Sequence, residues 1–506
     1  MRQSATAISP TREENFAEWY QQVIAGAELA ENAEVRGCII FKPWGYAIWE
    51  NIQGLLDRRI KETGHKNVYF PLLIPLSFLQ KEAEHVEGFA KECAIVTHHR
   101  LEQDATGRLV PSSPLPEPLV IRPTSETIIG AAFSRWVQSY RDLPLRVNQW
   151  ANVVRWELRP RPFLRTTEFL WQEGHTAHET QEEALEEALH MLDLYEEFLR
   201  TELALPAIKG EKTESERFPG AVRTFTVEVM VGDRKAVQAG TSHFLGQNFA
   251  RANDIRFLSR EGKLQYAWTT SWGVSTRLIG TLIMTHGDDN GLVLPPPIAP
   301  LHVVVIPVYH KEADRVGVWE RADRLAAKLR SCFYRGSQLR IEVDRRELGG
   351  GAKNWYWIKK GVPLRVELGP RELATQSVSV SKRDDPPKEK QLLREEELVE
   401  RIPELLESIH GNLYQRALAF RQAHTRKIDS KEEFFAFFTP QDSDRPEIHG
   451  GFALTHFCGL REVEQELKEA LKISIRCIPL GEEPEQGICP FTGKPSSGRV
   501  LFAKGY

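Results

Sequence analysis

Residues 153–175 read VVRWELRPRPFLRTTEFLWQEGH. Two extended segments, 146–157 and 168–175, flank the basic loop RPRPFLR. They alternate in residue type and lie next to each other in the chain, which predicts an antiparallel pair and not a βαβ unit. Arg155 and Glu157 stand two apart and share one face of an extended segment, as do Phe169, Trp171, Glu173 and His175. Such a face is too polar for a core and too aromatic for plain exposure. Either segment alone also reads as a solvated sheet face. Joined by a basic loop, they read as a site. A guanidinium binds a carboxylate or phosphate through two parallel bonds, and an aromatic ring stacks a purine. The combination suits a nucleotide beside a second anionic ligand.

Other polar segments join this stretch. QAGTSHFLGQNF (238–249) sets Gln238, Thr241 and His243 beside glycines that allow close backbone approach. WGVSTRLIG (272–280) sets Gly273, Ser275 and Arg277 ahead of an apolar helix. IRPTSET (121–127) opens a helix, where Thr124, Ser125 and Glu126 also read as ordinary N-terminal capping. Apolar stripes at helical spacing, such as Ile48, Ile52, Leu56 and Ile60, or Leu185, Ala188, Leu192, Tyr195 and Leu199, read as core.

The chain has 506 residues, enough for roughly two to four domains. Lys plus Arg is 66 and Asp plus Glu is 70, a net charge of −4. A globally basic nucleic-acid coat is excluded; a local basic patch is not. No apolar run approaches the ~20 residues of a membrane helix, and MRQSATAISP is no signal peptide, so a cytoplasmic protein is expected. Six cysteines are too few for a disulfide scaffold; Cys38, Cys93 and Cys332 read as isolated buried hydrophobes.

Boundaries follow from composition. Residues 101–118 are polar and Pro-rich, a hairpin loop or excursion. PPPIAP (295–300) reads as a stiff linker. The expected domains are 1–294, mixed helix and antiparallel strand; 295–405, a small α/β unit of alternating strands and helices; and 406–506, helical at first and then α/β again. The region 382–397 is charged and reads as a solvated loop leading into a helix.

There is no GxxxxGK[ST] loop, no GxGxxG after a strand, no HExxH, no CxxC and no GxSxG. GEKT (210–213) lacks the leading glycine and reads as a surface turn.

At these residues the chain resembles the class II aminoacyl-tRNA synthetases, and PTSET, RTTEFLWQEGH, QAGTSHFLGQNF, SWGVSTRLIG and HGDDNGLVLPP resemble the prolyl-tRNA synthetase family in particular. Motif 1 resembles residues 44–74, motif 2 residues 150–175 and motif 3 residues 271–285. The resemblance covers nearly the whole chain from about residue 12. It is closest to the archaeal and eukaryote-like form, because the interval 176–270 leaves no room for an editing insertion of ~100–150 residues.

The resemblance implies an α+β catalytic domain with an antiparallel sheet, an α/β anticodon-binding domain and a small α/β C-terminal domain. It implies attachment of proline to tRNA(Pro) through prolyl-adenylate, with ATP and Mg²⁺. Arg155 and Arg277 would be catalytic. Thr124, Glu126, Arg155, Trp171, Glu173 and His243 would hold proline. Arg155, Glu157, Thr166, Phe169, Gln238, Thr241, Ser275 and Arg277 would hold ATP, with Glu157 and Gln238 on Mg²⁺. Glu367, Arg371, Lys382 and Arg383 would meet the anticodon. Motif 1 implies a homodimer. His243 is either a general base for transfer or part of the pocket wall.

Family members often carry a four-cysteine zinc site in the C-terminal domain. This chain keeps Cys458 and Cys489, but Val463 and Thr492 stand at the other two positions, so no zinc is expected. Two other readings stay open: a catalytically idle, RNA-binding or regulatory paralogue, and a class II enzyme for another amino acid such as threonine. The retained Arg155 and Arg277 weigh against the first. The absence of a pocket His/Cys set weighs against the second.

Overall fold

The computed structural model describes residues 8–81, 92–440, 448–481, 483 and 485–506. Helix α1 (Pro43–Glu62) starts on a proline whose missing N–H costs nothing there, and it buries Ile48, Ile52, Leu56 and Ile60 on one face. Helix α2 (Glu126–Trp136) follows the PTS turn. The antiparallel pair is then laid down as β1 (Leu145–Val154) and β2 (Glu168–His178), in register from Leu145 opposite Ala177 to Val154 opposite Glu168. Helix α3 (Gln181–Glu202) begins in a capping box, Thr180 with Glu183, with acidic residues in its first turn. Strands β3 (Ala207–Glu211), β4 (Arg223–Met230), β5 (Ala236–Gly246) and β6 (Trp268–Ser275) complete this part of the sheet, and helix α4 (Arg277–His286) leaves its end.

These strands lie in the order β3-β4-β5-β6-β2-β1, each pair antiparallel, and the two-residue strand Lys66–Asn67 runs parallel beside β1. Alternation gives each strand two characters. On β4, Phe225, Val227 and Val229 enter the core formed with α1 and α3, while Thr224, Thr226 and Glu228 face the other way. The helices thus cover one face of the sheet and leave a polar face open for a site.

Residues 302–405 form a separate five-stranded mixed sheet: Ile341–Val343, Val303–Pro307 and Leu364–Leu368 run parallel, followed by antiparallel Ser377–Lys382 and Gln391–Arg394. It has its own core around Val303, Val305, Leu325 and Val366. Helix α5 (Glu395–Ala423), with three glutamates in its first turn, carries the chain onward. The last strands, Thr425–Lys427, Phe452–His456, β7 (Ser474–Pro479) and Arg499–Ala503, pack over a third core containing Phe434, Phe438 and Phe502. They do not form an isolated sheet. β7 pairs with β3 through Ile478–Glu211 and Pro479–Gly210, so the edge of the first sheet is covered by the end of the chain. Tyr506 closes the path: its hydroxyl donates to Asp233 at 2.6 Å, and the Arg161 guanidinium lies 5.1 Å from its ring.

Several sequence expectations change. β1 ends at Val154, so Arg155 and Glu157 are not placed by a strand. The backbone N–H of Arg155 still bonds Thr167 (2.8 Å), but that of Trp156 turns to Glu92 (2.8 Å). Most of 101–118 is ladder, with Ile95–Gln103 paired to Leu109–Ile121 around a turn at 104–108. The 295–300 segment is no free spacer. Pro296–Ile298 form a buried 3-10 turn, and the carbonyls of Ile298 and Ala299 accept from Asn51 on α1. Cys38, Cys93 and Cys332 are half-buried, not core residues. Among the described residues no helix is long and apolar enough to cross a membrane.

Candidate active site

The open face of the sheet holds a cavity of about 480 Å³. Thr124, Glu126, Arg155, Glu157, Thr166, Phe169, Trp171, Glu173, Gln238, Thr241, His243, Ser275 and Arg277 all line it. Residues read as four separate segments thus meet in one space.

Local geometry explains the convergence. Strict alternation on β5 would send Gln238 to one face and Thr241 and His243 to the other. The β4–β5 ladder shifts register at Val227/Glu228, where Val227 pairs with Gly240 and Glu228 with Gln238. Ala239 is the extra residue of a bulge, and the bulge resets the parity so that all three side chains face the cavity. Gly174, between Glu173 and His175, is required by close approach: a Cβ there would lie 2.0 Å from the Trp272 ring. The Thr124–Ser125–Glu126 turn does not cap α2 with its side chains. Thr124 donates to Glu126 and Ser125 to Glu173 (2.5 Å), so the turn faces the cavity instead.

The electrostatics are those of a buried, charged site. Burial would raise the Glu173 carboxyl, but bonds from His175 (2.9 Å), Ser125 and Gln149 (2.8 Å) outweigh it and hold it below the ordinary carboxylate range. Burial would lower His175, and Glu173 reverses this, raising it. Arg155 is lowered by burial against the pull of Glu126 and Glu173; its Nε donates to the Pro123 carbonyl (2.9 Å), and its guanidinium lies 5.6 and 5.4 Å from the rings of Phe169 and Trp171. Arg277 is lowered to about 10 by burial and by the charges of Arg165, Arg155 and Arg476, an accumulation of cations that invites a polyanion. His243 is lowered to about 3 by burial and then by the charges of His175 and Arg155, so its ring is neutral near pH 7. Trp171 Nε1 and Arg217 Nε are buried donors with no acceptor among the described residues, and both residues line the cavity.

Sequence reasoning missed part of this wall. Phe218 stacks on His243 with centroids 4.4 Å apart, and Arg217 stands beside it; the ERFPG string at 216–220 was the available signal. Lys212, read as part of a surface turn, is instead buried in the wall, because Glu228 beneath it requires a counter-charge (2.9 Å). Ser125, Gln149 and His175 support Glu173.

The second region separates its four expected RNA contacts. Arg371 is exposed. Glu367 is paired with Lys390 (2.5 Å), and Lys382 lies 3.6 Å from both Asp384 and Asp385. Arg383 is a correction. It is buried and turned inward, bonded to both oxygens of Asp288 (2.8 and 2.6 Å) and to the carbonyls of Leu292 and Ile358, so it is closed to an RNA phosphate. At the other end of the chain, Cys458 Sγ lies 3.3 Å from Thr492 Oγ1, beside buried Cys489 and with Val463 packed on the same core. Among the described residues no group of three His, Cys, Asp or Glu is placed to hold a metal.

The chain is similar to known proteins along its length. Residues 112–286 match the tRNA synthetase class II core domain (G, H, P, S and T), residues 302–405 the anticodon binding domain, and residues 445–506 the prolyl-tRNA synthetase C-terminal domain. It is 58% identical to the proline--tRNA ligase of Protochlamydia amoebophila, over 99% of each chain. It is 58% identical to proline--tRNA ligase 2 of Anaeromyxobacter dehalogenans and to the proline--tRNA ligase of Akkermansia muciniphila, again over 99% of each chain.

Proposed function

The chain belongs to the prolyl-tRNA synthetase family, and from that premise we propose how its residues carry the reaction. It is a proline–tRNA ligase: proline is joined to ATP as prolyl-adenylate, then transferred to tRNA(Pro). A proline carboxylate oxygen attacks the α-phosphorus and pyrophosphate leaves. A ribose hydroxyl of the tRNA 3′ end then attacks the prolyl carbonyl and AMP leaves.

The observation that carries the residue assignment is the position of Arg155, half-buried in the cavity wall within the field of the Glu126 and Glu173 carboxylates and over the rings of Phe169 and Trp171. Attack brings two anions together, and Arg155 is the cation that neutralises both, so its contribution grows as charge develops. Thr124, Glu126, Glu173 and Trp171 form the proline end, where Glu126 accepts from the ring NH₂⁺. His243 serves there as a wall and not as a base, since a neutral ring this hard to protonate takes up a proton poorly. Phe169 and Arg277 sandwich the adenine, with Thr166, Thr241 and Ser275 around the nucleotide.

Glu157 and Gln238 offer oxygen ligands on the nucleotide side of the cavity, which fits Mg²⁺, an ion held by one or two side chains together with substrate phosphates. When bound, Mg²⁺ supplies charge neutralisation on the leaving pyrophosphate. Glu157 itself is aimed by its bond from the Arg159 N–H (2.8 Å).

Arg371, Glu367 and Lys382 form the proposed anticodon contacts. Exposed apolar side chains on motif 1 (Tyr69 and Leu73) and on the hairpin that pairs with it (Ile95, Leu101 and Leu109) support a homodimer, and the proposed compartment is the cytoplasm. Proline-dependent exchange of pyrophosphate into ATP, followed by charging of tRNA(Pro), tests the reading. Light scattering at micromolar concentration tests the dimer.

A further inference from the structure

We propose that Arg476, carried by the last domain, is a positioning residue of the ATP site, acting through a buried triad with Glu228 and Lys212. The proposal rests on the reading of the cavity as an adenylation site and goes beyond it, because it makes the C-terminal domain part of that site.

Glu228 is fully buried. Its Oε1 accepts from Lys212 Nζ (2.9 Å) and Thr226 Oγ1 (2.9 Å). Its Oε2 accepts from both Nε (3.0 Å) and Nη2 (2.9 Å) of Arg476. Lys212 Nζ also donates to the backbone carbonyl of Arg476 (2.7 Å). Both cations are themselves buried, and Gly505 lies over Arg476, where a Cβ would come within 2.5 Å of the guanidinium. The triad spans the seam where β7 meets β3 through only two paired residues, so side chains do what the short ladder cannot.

Its placement ties it to the nucleotide. Lys212 lines the cavity together with Gln238 and Arg277. Glu228 is the cross-strand partner of Gln238 at the bulge, and Gln238's carbonyl lies 3.4 Å from Arg277 Nη1. Two cations and one anion leave a net positive charge under the place where a triphosphate would lie. An apolar cluster would seal the same seam without the cost of burying three charges, so stability alone does not account for the triad. Removing the Arg476 guanidinium takes two donors from Glu228, leaves Lys212 as the carboxylate's one remaining cation in the triad, and so draws Lys212 inward and cancels the net positive charge beside Arg277.

The test is steady-state pyrophosphate exchange with the full chain, varying ATP and proline separately, with melting measured in parallel. Arg476→Met should raise the KM for ATP by about tenfold or more and leave the KM for proline within about twofold. Arg476→Lys, which restores charge but not the two-pronged bond, should recover most of the loss. If Arg476→Met alone does not fold, Arg476→Gln, which keeps a hydrogen-bond donor to Glu228 without the charge, should still show the raised KM for ATP. A folded variant with an unaltered KM for ATP, or one in which both KM values rise together, overturns the proposal. Wild-type protein without proline-dependent exchange would instead overturn the adenylation reading on which it stands.

Discussion

Arg155 has no strand to hold it, and its position comes from what surrounds it. The Pro123 carbonyl fixes Nε, two rings flank the guanidinium, and two carboxylates set its charge balance. Arg155→Ala should therefore lower proline-dependent pyrophosphate exchange by about 10²–10³-fold, the range seen when one donor to a developing charge is removed. Arg277→Ala should cost a similar factor, with the KM for ATP raised more than that for proline. Exchange surviving either change within a few-fold would remove these residues from the mechanism. Arg383 teaches the opposite lesson. Its neighbourhood reads as basic and solvated in sequence, yet Asp288, 95 positions earlier, draws it inside. Charge type is visible in a sequence; the partner that claims it is not.

At the scale of elements, much of the site was legible. The pairing of 146–157 with 168–175 follows from alternation, and the shared face of Phe169, Trp171, Glu173 and His175 follows with it. What alternation misses is the bulge at Ala239, since one extra residue inverts every later position and carries no composition signal. The burial of Lys212 was hidden for a related reason: its counter-charge, Glu228, lies on the next strand, and Arg476, the second cation on that carboxylate, stands 264 positions further on. Gly174 marks the tightest contact between strands. Gly174→Ala would press a Cβ into the Trp272 ring, and overpacking of this kind costs about 1–3 kcal/mol. A lower melting temperature together with weaker proline binding is expected, because Glu173 and His175 flank the position; an unchanged melting curve would contradict the packing described. In the last domain, Thr492 and Val463 leave Cys458 and Cys489 short of the four donors that a structural zinc site needs. The aromatic core of Phe434, Phe438, Phe491 and Phe502 holds the domain instead. A chelator should leave the melting temperature unchanged, and elemental analysis should find no zinc; about one zinc per chain would show a site of other composition.

Across the whole molecule, the first sheet and the last strands are one structure, and the second region is tied to the first by Arg383–Asp288 and by Arg335, which reaches both Glu202 and Glu407. Buried histidines make this assembly sensitive to acid. Burial lowers His243 and His302 to about 3, and His178 and His286 to about 4, from an ordinary value of 6.5. Between those limits the unfolded chain binds more protons than the folded one, so stability falls as pH falls from 6.5 toward 4. His175, raised by Glu173, works the other way, but these four rings and His410, also lowered by burial, oppose it. Calorimetry should record a melting temperature that drops steadily over that window; a flat profile would mean that these rings are not buried neutral. The proposed role of this cavity is the activation of proline with ATP. The most direct measurement is pyrophosphate exchange by the full-length protein against each amino acid in turn. Exchange driven by proline and lost in Arg155→Ala is the predicted result, whereas exchange driven by another amino acid such as threonine, or by none, would contradict the account.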